Sequence, residues 1–169
     1  GVELNVLREH GEPLTAQEVY RKVNPSVVQV MVQVGRKASL GTGVIFTEDG
    51  YILTNYHVVE GGSDCYIALD TGAGYPASYV AGDPVSDLAV LKVDGHGLPA
   101  AEFGESDLLT VGDTVYAIGN PLGYELWGTM TDGIVSAVDR EVLVDGRTMT
   151  LIQTNAALNS GNSGGPLIN

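Results

Sequence analysis

The sequence holds one cysteine, Cys65, among 169 residues, so no intrachain disulfide can form and a packed core must hold the fold. Cys65 opens an apolar stretch, CYIAL, and reads as a small buried hydrophobe, not a nucleophile. Aromatic residues are scarce at 7%, and no apolar run approaches the ~18 residues needed to span a bilayer. Cations are few: 8 Lys plus Arg stand against 21 Asp plus Glu, for a formal charge of -13. Such a surface repels phosphate backbones, which excludes nucleic acid as the natural partner and leaves solubility as the plain reading of the acidity. The acidic residues are too scattered for an EF-hand loop, and no His/Cys spacing matches a zinc site. No metal and no cofactor are expected. There is no βαβ alternation either, which argues against a doubly wound nucleotide-binding fold. No signal peptide is visible, and any export signal or membrane anchor is expected upstream of Gly1.

What is present points to β-structure. Hydrophobic residues make up 44% and glycine contributes 23 positions, many between Val- and Ile-rich runs. Residues 1–13 read as a weakly ordered lead-in. Thr15 with Glu18 three residues later fits a capping box, opening a short helix TAQEVYRKV that must end before Pro25. From Ser26 the pattern turns to VVQVMVQV, a strand. Further strands are expected at 43–46, 51–54, 66–69, 75–81 and 88–93, separated by turn signals such as Glu48-Asp49-Gly50. After a linker at 95–99 come strands at 114–118, 130–138, 142–144, 149–154 and 166–168. Asp145-Gly146 suits a tight hairpin, whose turn needs positive φ angles. Short strands at regular spacing indicate a sandwich or a pair of barrels, and periodicity alone does not choose.

Three segments carry chemistry. In Thr54-Asn55-Tyr56-His57 a histidine directly follows a strand. In Asp83-Pro84-Val85-Ser86-Asp87-Leu88 an acid stands at the mouth of an apolar strand. In Gly161-Asn162-Ser163-Gly164-Gly165-Pro166 a serine lies in a glycine-dense turn. A serine hydroxyl needs a base to take its proton during attack, and histidine can serve near neutral pH. A carboxylate then fixes the imidazole tautomer and stabilises the imidazolium. Glycines around the serine allow backbone N–H groups, those of Gly161 and Ser163, to converge where a tetrahedral intermediate bears its negative oxygen. The chain order His57, Asp87, Ser163 matches the chymotrypsin arrangement and neither the subtilisin nor the α/β-hydrolase order. Asp83 competes for the acid role, but Pro84 marks a turn there, whereas Asp87 directly precedes LAVLKV. His10 and His96 sit in polar, Gly-containing segments and read as solvated loop residues. Tyr124 and Trp127 lie in YELWGT and read as core or as loop contacts.

These stretches together resemble the HtrA/Deg family of trypsin-like serine proteases. The resemblance rests on NPSVVQV, GTGVIFTEDGYILTNYHVV, DPVSDLAVLKV, FGESDLLTVGDTVYAIGNPLG, GIVSAVDR and LIQTNAALNSGNSGGPLIN, from about Asn24 to Asn169. It implies an all-β fold, the chymotrypsin/trypsin-like double β-barrel, with the triad in the cleft between the barrels. The lead-in and helix would be residues 1–25, the first barrel 26–100 with His57 and Asp87, and the second 101–169 with Ser163. The family domain continues for several strands past this point, and usually into a peptide-binding PDZ domain. The second barrel is therefore expected to be incomplete within these residues. The resemblance further implies cleavage of unfolded or misfolded polypeptides in protein quality control and the stress response. It also implies an extracytoplasmic location, bacterial periplasm or cell surface, and assembly into homotrimers or larger cages. The family usually carries Asp and Pro where this chain has Asn155 and Ser160; neither is a triad position.

Further expectations follow. In trypsin-like enzymes the floor of the primary pocket lies about six residues before the nucleophile, here Ala157 and Leu158, with no carboxylate to receive Lys or Arg. Cleavage after small or medium aliphatic residues is expected. Digestive relatives place an Asp just before the serine to pair with a newly cut N-terminus. Asn162 lacks that charge, so regulation should come from loop packing at 122–129 and 141–148, with the oxyanion hole malformed in the chain as given. The competing function is a chaperone or peptide-binding scaffold without hydrolysis, which has no need of an intact triad. A viral or self-processing protease would share the fold but not GNPLG or QTNAALN.

Overall fold

The computed structural model describes residues 2–9, 11–120 and 127–169. His10, Tyr124 and most of the 122–129 segment lie outside the described residues. Strand β1 (Val6–Leu7) pairs in parallel with β8 (Phe103–Gly104), so the expected lead-in contains a short strand docked beside the linker that leaves the first barrel. Helix α1 (Ala16–Val23) starts with the expected capping box. Glu18 N–H donates to Thr15 Oγ1 at 3.3 Å, and Thr15 N–H donates to the Glu18 carboxylate at 2.7 Å. Those bonds favour the ionised carboxyl and lower the Glu18 pKa. A 3-10 turn at Asn24–Ser26, with Pro25 inside it, ends the helix.

Strands β2 (Val27–Val34), β3 (Lys37–Ile45), β4 (Tyr51–Asn55), β5 (Asp64–Ala68), β6 (Gly74–Asp83) and β7 (Leu88–Val93) close into a barrel in the order β2-β3-β4-β7-β6-β5. β3 begins at Lys37, earlier than its apolar pattern at 43–46 announces. The β2–β3 hairpin turns at Gly35, φ 60°, and runs in register from Val34↔Lys37 to Val27↔Val44, so pairing carries the polar residues into the sheet. The barrel interior is aliphatic: Val28, Val30, Ile45, Ile52, Ile67 and Leu91 are fully buried. Cys65 packs at the edge of this core, and burial pushes its thiol up to about 11, which leaves it unreactive at neutral pH. Truncating Ile67 to Ala is expected to cost ~2–5 kcal/mol of stability, because the closed barrel cannot collapse into the cavity. Urea unfolding of Ile67→Ala against the parent measures it directly.

The second unit is an open four-stranded sheet ordered β11-β10-β9-β12, made of β9 (Thr114–Gly119), β10 (Thr129–Val144), β11 (Arg147–Thr154) and β12 (Leu167–Ile168). β10 is one continuous strand where the sequence pattern shows two. The polar interruption Asp139-Arg140-Glu141 is absorbed as a bulge, with a register shift before Arg140 and φ 50° at Asp139. Asp145 and Gly146 both take positive φ, 49° and 78°, as the hairpin requires. Val115, Ile118 and Val135 are buried, while Ile134, Leu143, Leu151 and Ile152 remain exposed along the open sheet. The fold is mostly β: a closed six-stranded barrel beside a half-barrel, with the Ser160–Asn162 turn packed against β3 of the first and β9 of the second.

Candidate active site

β4 ends at Asn55, and the chain turns at once into the one-turn helix α2 (Tyr56–Val59), which carries His57. Its partner strand sets the acid. β4 pairs with β7 so that Asn55 faces Leu88, which places Asp87 opposite the first residue of α2. Asp87 then holds that turn from several directions. Its carbonyl accepts from Tyr56 N–H at 3.0 Å and Asn55 Nδ2 at 2.9 Å. Carboxylate Oδ1 accepts from His57 N–H at 2.8 Å, and Oδ2 lies 2.7 Å from His57 Nδ1. An ionised carboxylate only accepts, so in this pairing Nδ1 carries the proton, and the neutral tautomer it selects keeps the lone pair on Nε2. Asp87 adopts φ 56°, a left-handed conformation that Asp tolerates better than most residues.

Asp83 has a different task. Its carboxylate accepts from Val85 N–H at 3.0 Å and Ser86 N–H at 3.2 Å, shaping the turn that presents Asp87. The bond from Val85 N–H, with those from Ser86, holds its carboxyl below the usual range. The tip of the β10–β11 hairpin reaches the same turn, where Arg147 Nη1 donates to Pro84 O at 2.6 Å. His96 is exposed on its loop.

Ser163 follows a 3-10 turn at Ser160–Asn162 and is fastened to the first barrel, its carbonyl accepting from Thr42 N–H at 2.8 Å. The glycines after it serve close approach. At Gly164, φ 87°, a Cβ would collide with the carbonyl of Thr42; at Gly165 it would strike the carbonyl of Ile118. A Cβ at Gly41 would lie 3.2 Å from Ser163 O and 2.8 Å from a Val58 methyl, so the serine backbone runs beside the residue that follows His57. The Ser163 hydroxyl makes no hydrogen bond among the described residues; such bonds are often long in unliganded enzymes. The His57 side chain is 55% exposed, so a substrate can reach it.

The amides expected to stabilise an oxyanion do not converge. Ser163 N–H points at Ser160 O, 3.4 Å away. Gly161 N–H belongs to the same trans peptide as that carbonyl and therefore points the opposite way. A rotation of the 160–161 peptide would bring both N–H groups to one side, and only glycine at 161 makes such a rotation sterically free. Asn162 is buried against Gly119 and its Oδ1 has no hydrogen-bond partner. A carboxylate in that place would be a stranded charge, whereas the neutral amide is tolerated. Ala157 and Leu158 are exposed, and Ala157 O accepts from Thr131 Oγ1 at 2.8 Å. Asn155 Oδ1 accepts from Ile134 N–H at 2.8 Å, a bond that the more usual Asp could equally accept.

Sequence reasoning passed over Thr42, Asn55 and Asn120. Asn55 is the polar residue two before His57, and Thr42 is the centre of GTG; both spacings could have drawn attention to them.

The family profile described as trypsin-like peptidase domain matches residues 41–169. A probable periplasmic serine endoprotease, DegP-like, from Chlamydia trachomatis is 48% identical over 134 residues, 79% of this chain and 27% of that protein. The serine protease Do-like HtrA of Bacillus subtilis is 50% identical over 137 residues, 76% of this chain and 30% of its own length. Among solved structures, the HtrA-type protease AlgW with tripeptide superposes with a TM-score of 0.86 at 40% identity, covering 92% of this chain and 51% of that one. The serine endoprotease from Yersinia pestis gives 0.81 at 38% identity, covering 94% and 55%. The chain thus spans under a third of these curated relatives, 27% and 30%, and about half of the solved chains. With its closed barrel, half-barrel and this pattern of likeness to serine proteases of the HtrA/DegP kind, the chain belongs to the trypsin-like peptidase domain family.

Proposed function

We propose that this chain is the catalytic part of a serine endopeptidase that cleaves unfolded or misfolded polypeptides through an acyl-enzyme, with His57, Asp87 and Ser163 as the triad. The observation that carries the reading is the clamp of Asp87 on α2, with Nδ1 and Oδ2 2.7 Å apart and Nε2 left as the base. Ser163 Oγ attacks the scissile carbonyl carbon while His57 Nε2 takes its proton, and the carbonyl electron pair moves to oxygen. Collapse breaks the C–N bond, and the same proton passes to the leaving amine. Water then attacks the acyl-enzyme with His57 again as base, releasing the carboxylate product and restoring the serine. The Gly161 and Ser163 amides would stabilise the oxyanion once the 160–161 peptide has rotated, and contacts from 122–129 and 141–148 would control that rotation. No cofactor takes part.

Ala157 and Leu158 would line the primary pocket, favouring Val, Ala or Ile before the cut. The periplasmic names of relatives favour an extracytoplasmic location for the whole protein, and the same kinship favours homotrimers, a PDZ domain and a place in protein quality control. A fluorophosphonate, whose fluoride leaves as Ser163 Oγ bonds to phosphorus, tests the reaction. Labelling should map to Ser163 by peptide mass spectrometry, and a cleavage profile on unfolded casein should be dominated by aliphatic residues. No labelling under any substrate or activator would favour the binding scaffold instead, and a profile led by Lys and Arg would overturn the pocket.

A further inference from the structure

The turn that holds Ser163 is tied down by one side chain of the neighbouring barrel. Thr42, on β3, is fully buried, and its hydroxyl both donates and accepts. It donates to Gly161 O at 2.8 Å and accepts from Asn120 N–H at 3.0 Å. Asn120, itself buried, accepts through Oδ1 from Gly128 N–H at 2.8 Å. A continuous line of hydrogen bonds thus runs from Gly128 through Asn120 and Thr42 to Gly161. The Thr42 main chain adds a second tie, N–H to Ser163 O at 2.8 Å, and its own carbonyl is held by Thr54 Oγ1 at 2.8 Å.

These ties decide which part of the turn can move. Thr42 fixes the 161–162 peptide through Gly161 O and the 163–164 peptide through Ser163 O. Asn162 O accepts from Gly165 N–H at 2.8 Å, which fixes the 162–163 peptide. Only the 160–161 peptide rests on a long bond, the 3.4 Å contact of its carbonyl with Ser163 N–H, and among the described residues Gly161 N–H has no acceptor.

We propose that Thr42 is a positioning residue for the oxyanion-forming turn, its hydroxyl pinning Gly161 O so that the 160–161 peptide alone rotates. The proposal rests on the serine endopeptidase reading above. Without the hydroxyl, Gly161 O and Asn120 N–H are both left without partners, and rotation spreads along the turn. The Gly161 amide then samples positions away from the oxyanion, and reaction slows without loss of substrate affinity.

The test compares Thr42→Val, which keeps the shape and removes the hydroxyl, with Thr42→Ser, which keeps the hydroxyl and removes a methyl packed beside Gly165. In the full-length protein, phosphonylation of Ser163 and kcat on a peptide should fall ~10–100-fold in Thr42→Val with KM little changed, part of what loss of an oxyanion donor costs. Thr42→Ser should stay within about threefold of the parent, since both hydroxyl bonds survive. Backbone amide NMR supplies a readout independent of activity: the Asn120 amide proton should move upfield in Thr42→Val and stay in place in Thr42→Ser. A folded Thr42→Val that reacts at the parent rate, or a Thr42→Ser as slow as Thr42→Val, overturns the proposal. If the parent itself is never phosphonylated, the endopeptidase reading fails, and an Asn120 amide unmoved in Thr42→Val would separately refute the hydroxyl tie.

Discussion

Replacement of Ser163 by Ala should reduce kcat/KM on unfolded casein or a peptide by up to ~10⁶-fold and abolish fluorophosphonate labelling, while leaving the thermal midpoint nearly unchanged. The separation of effects follows from how the residue is held. Ser163 is fixed through its main chain, carbonyl to Thr42 N–H at 2.8 Å and N–H to Ser160 O at 3.4 Å. Its hydroxyl makes no hydrogen bond among the described residues, and removal of one such atom usually shifts stability by less than about 0.5 kcal/mol. In the proposed mechanism the hydroxyl is nonetheless the atom that bonds to substrate. Substantial hydrolysis by a purified, folded Ser163→Ala protein would remove Ser163 from the mechanism.

For Asp87→Asn the expected loss is ~10⁴-fold in kcat, with KM close to the parent. The substitution is informative because Asn, like Asp, tolerates the φ of 56° found here, so backbone strain does not confuse the result as it would for Ala. The Asn carbonyl oxygen can replace Oδ1 in accepting His57 N–H, and the main-chain bonds to Tyr56 and Asn55 remain. What changes is the group facing Nδ1. An amide NH₂ in place of Oδ2 donates to the ring nitrogen, moves the imidazole proton to Nε2 and leaves the base without its lone pair. Asp83→Asn serves as the control. Among the described residues Asp83 accepts only from Val85 and Ser86, and its neutral counterpart should retain most activity. Full activity in Asp87→Asn, or equal losses in the two variants, would show that the acid had been misassigned.

Much of this arrangement could be read along the chain because it is local. The capping box of α1, the Asp145-Gly146 turn and the β-branched run of β2 follow from side-chain size and backbone preference within a few residues. The candidate triad was legible for a related reason: each member sits in a short segment whose residue types have few other uses together. The misses were non-local. β3 extends to Lys37 only because β2 lies opposite to pair with it, and β10 crosses a polar interruption because β11 continues the ladder.

Side-chain chemistry, chain order and turn propensities are properties of single residues and near neighbours. They determined the all-β class and the family, and they named His57, Asp87 and Ser163 as candidates. Tertiary structure set which of Asp83 and Asp87 lies beside His57, because the register of β4 on β7 sets which carboxylate meets Nδ1. It also decided that Gly164 and Gly165 admit neighbouring carbonyls, that the Ser160 carbonyl faces Ser163 N–H, and that Thr42 holds the turn. Thr42 is 119 residues from Gly161 along the chain, and hydrogen bonding falls off within ångströms, so only the folded barrel brings that pair together.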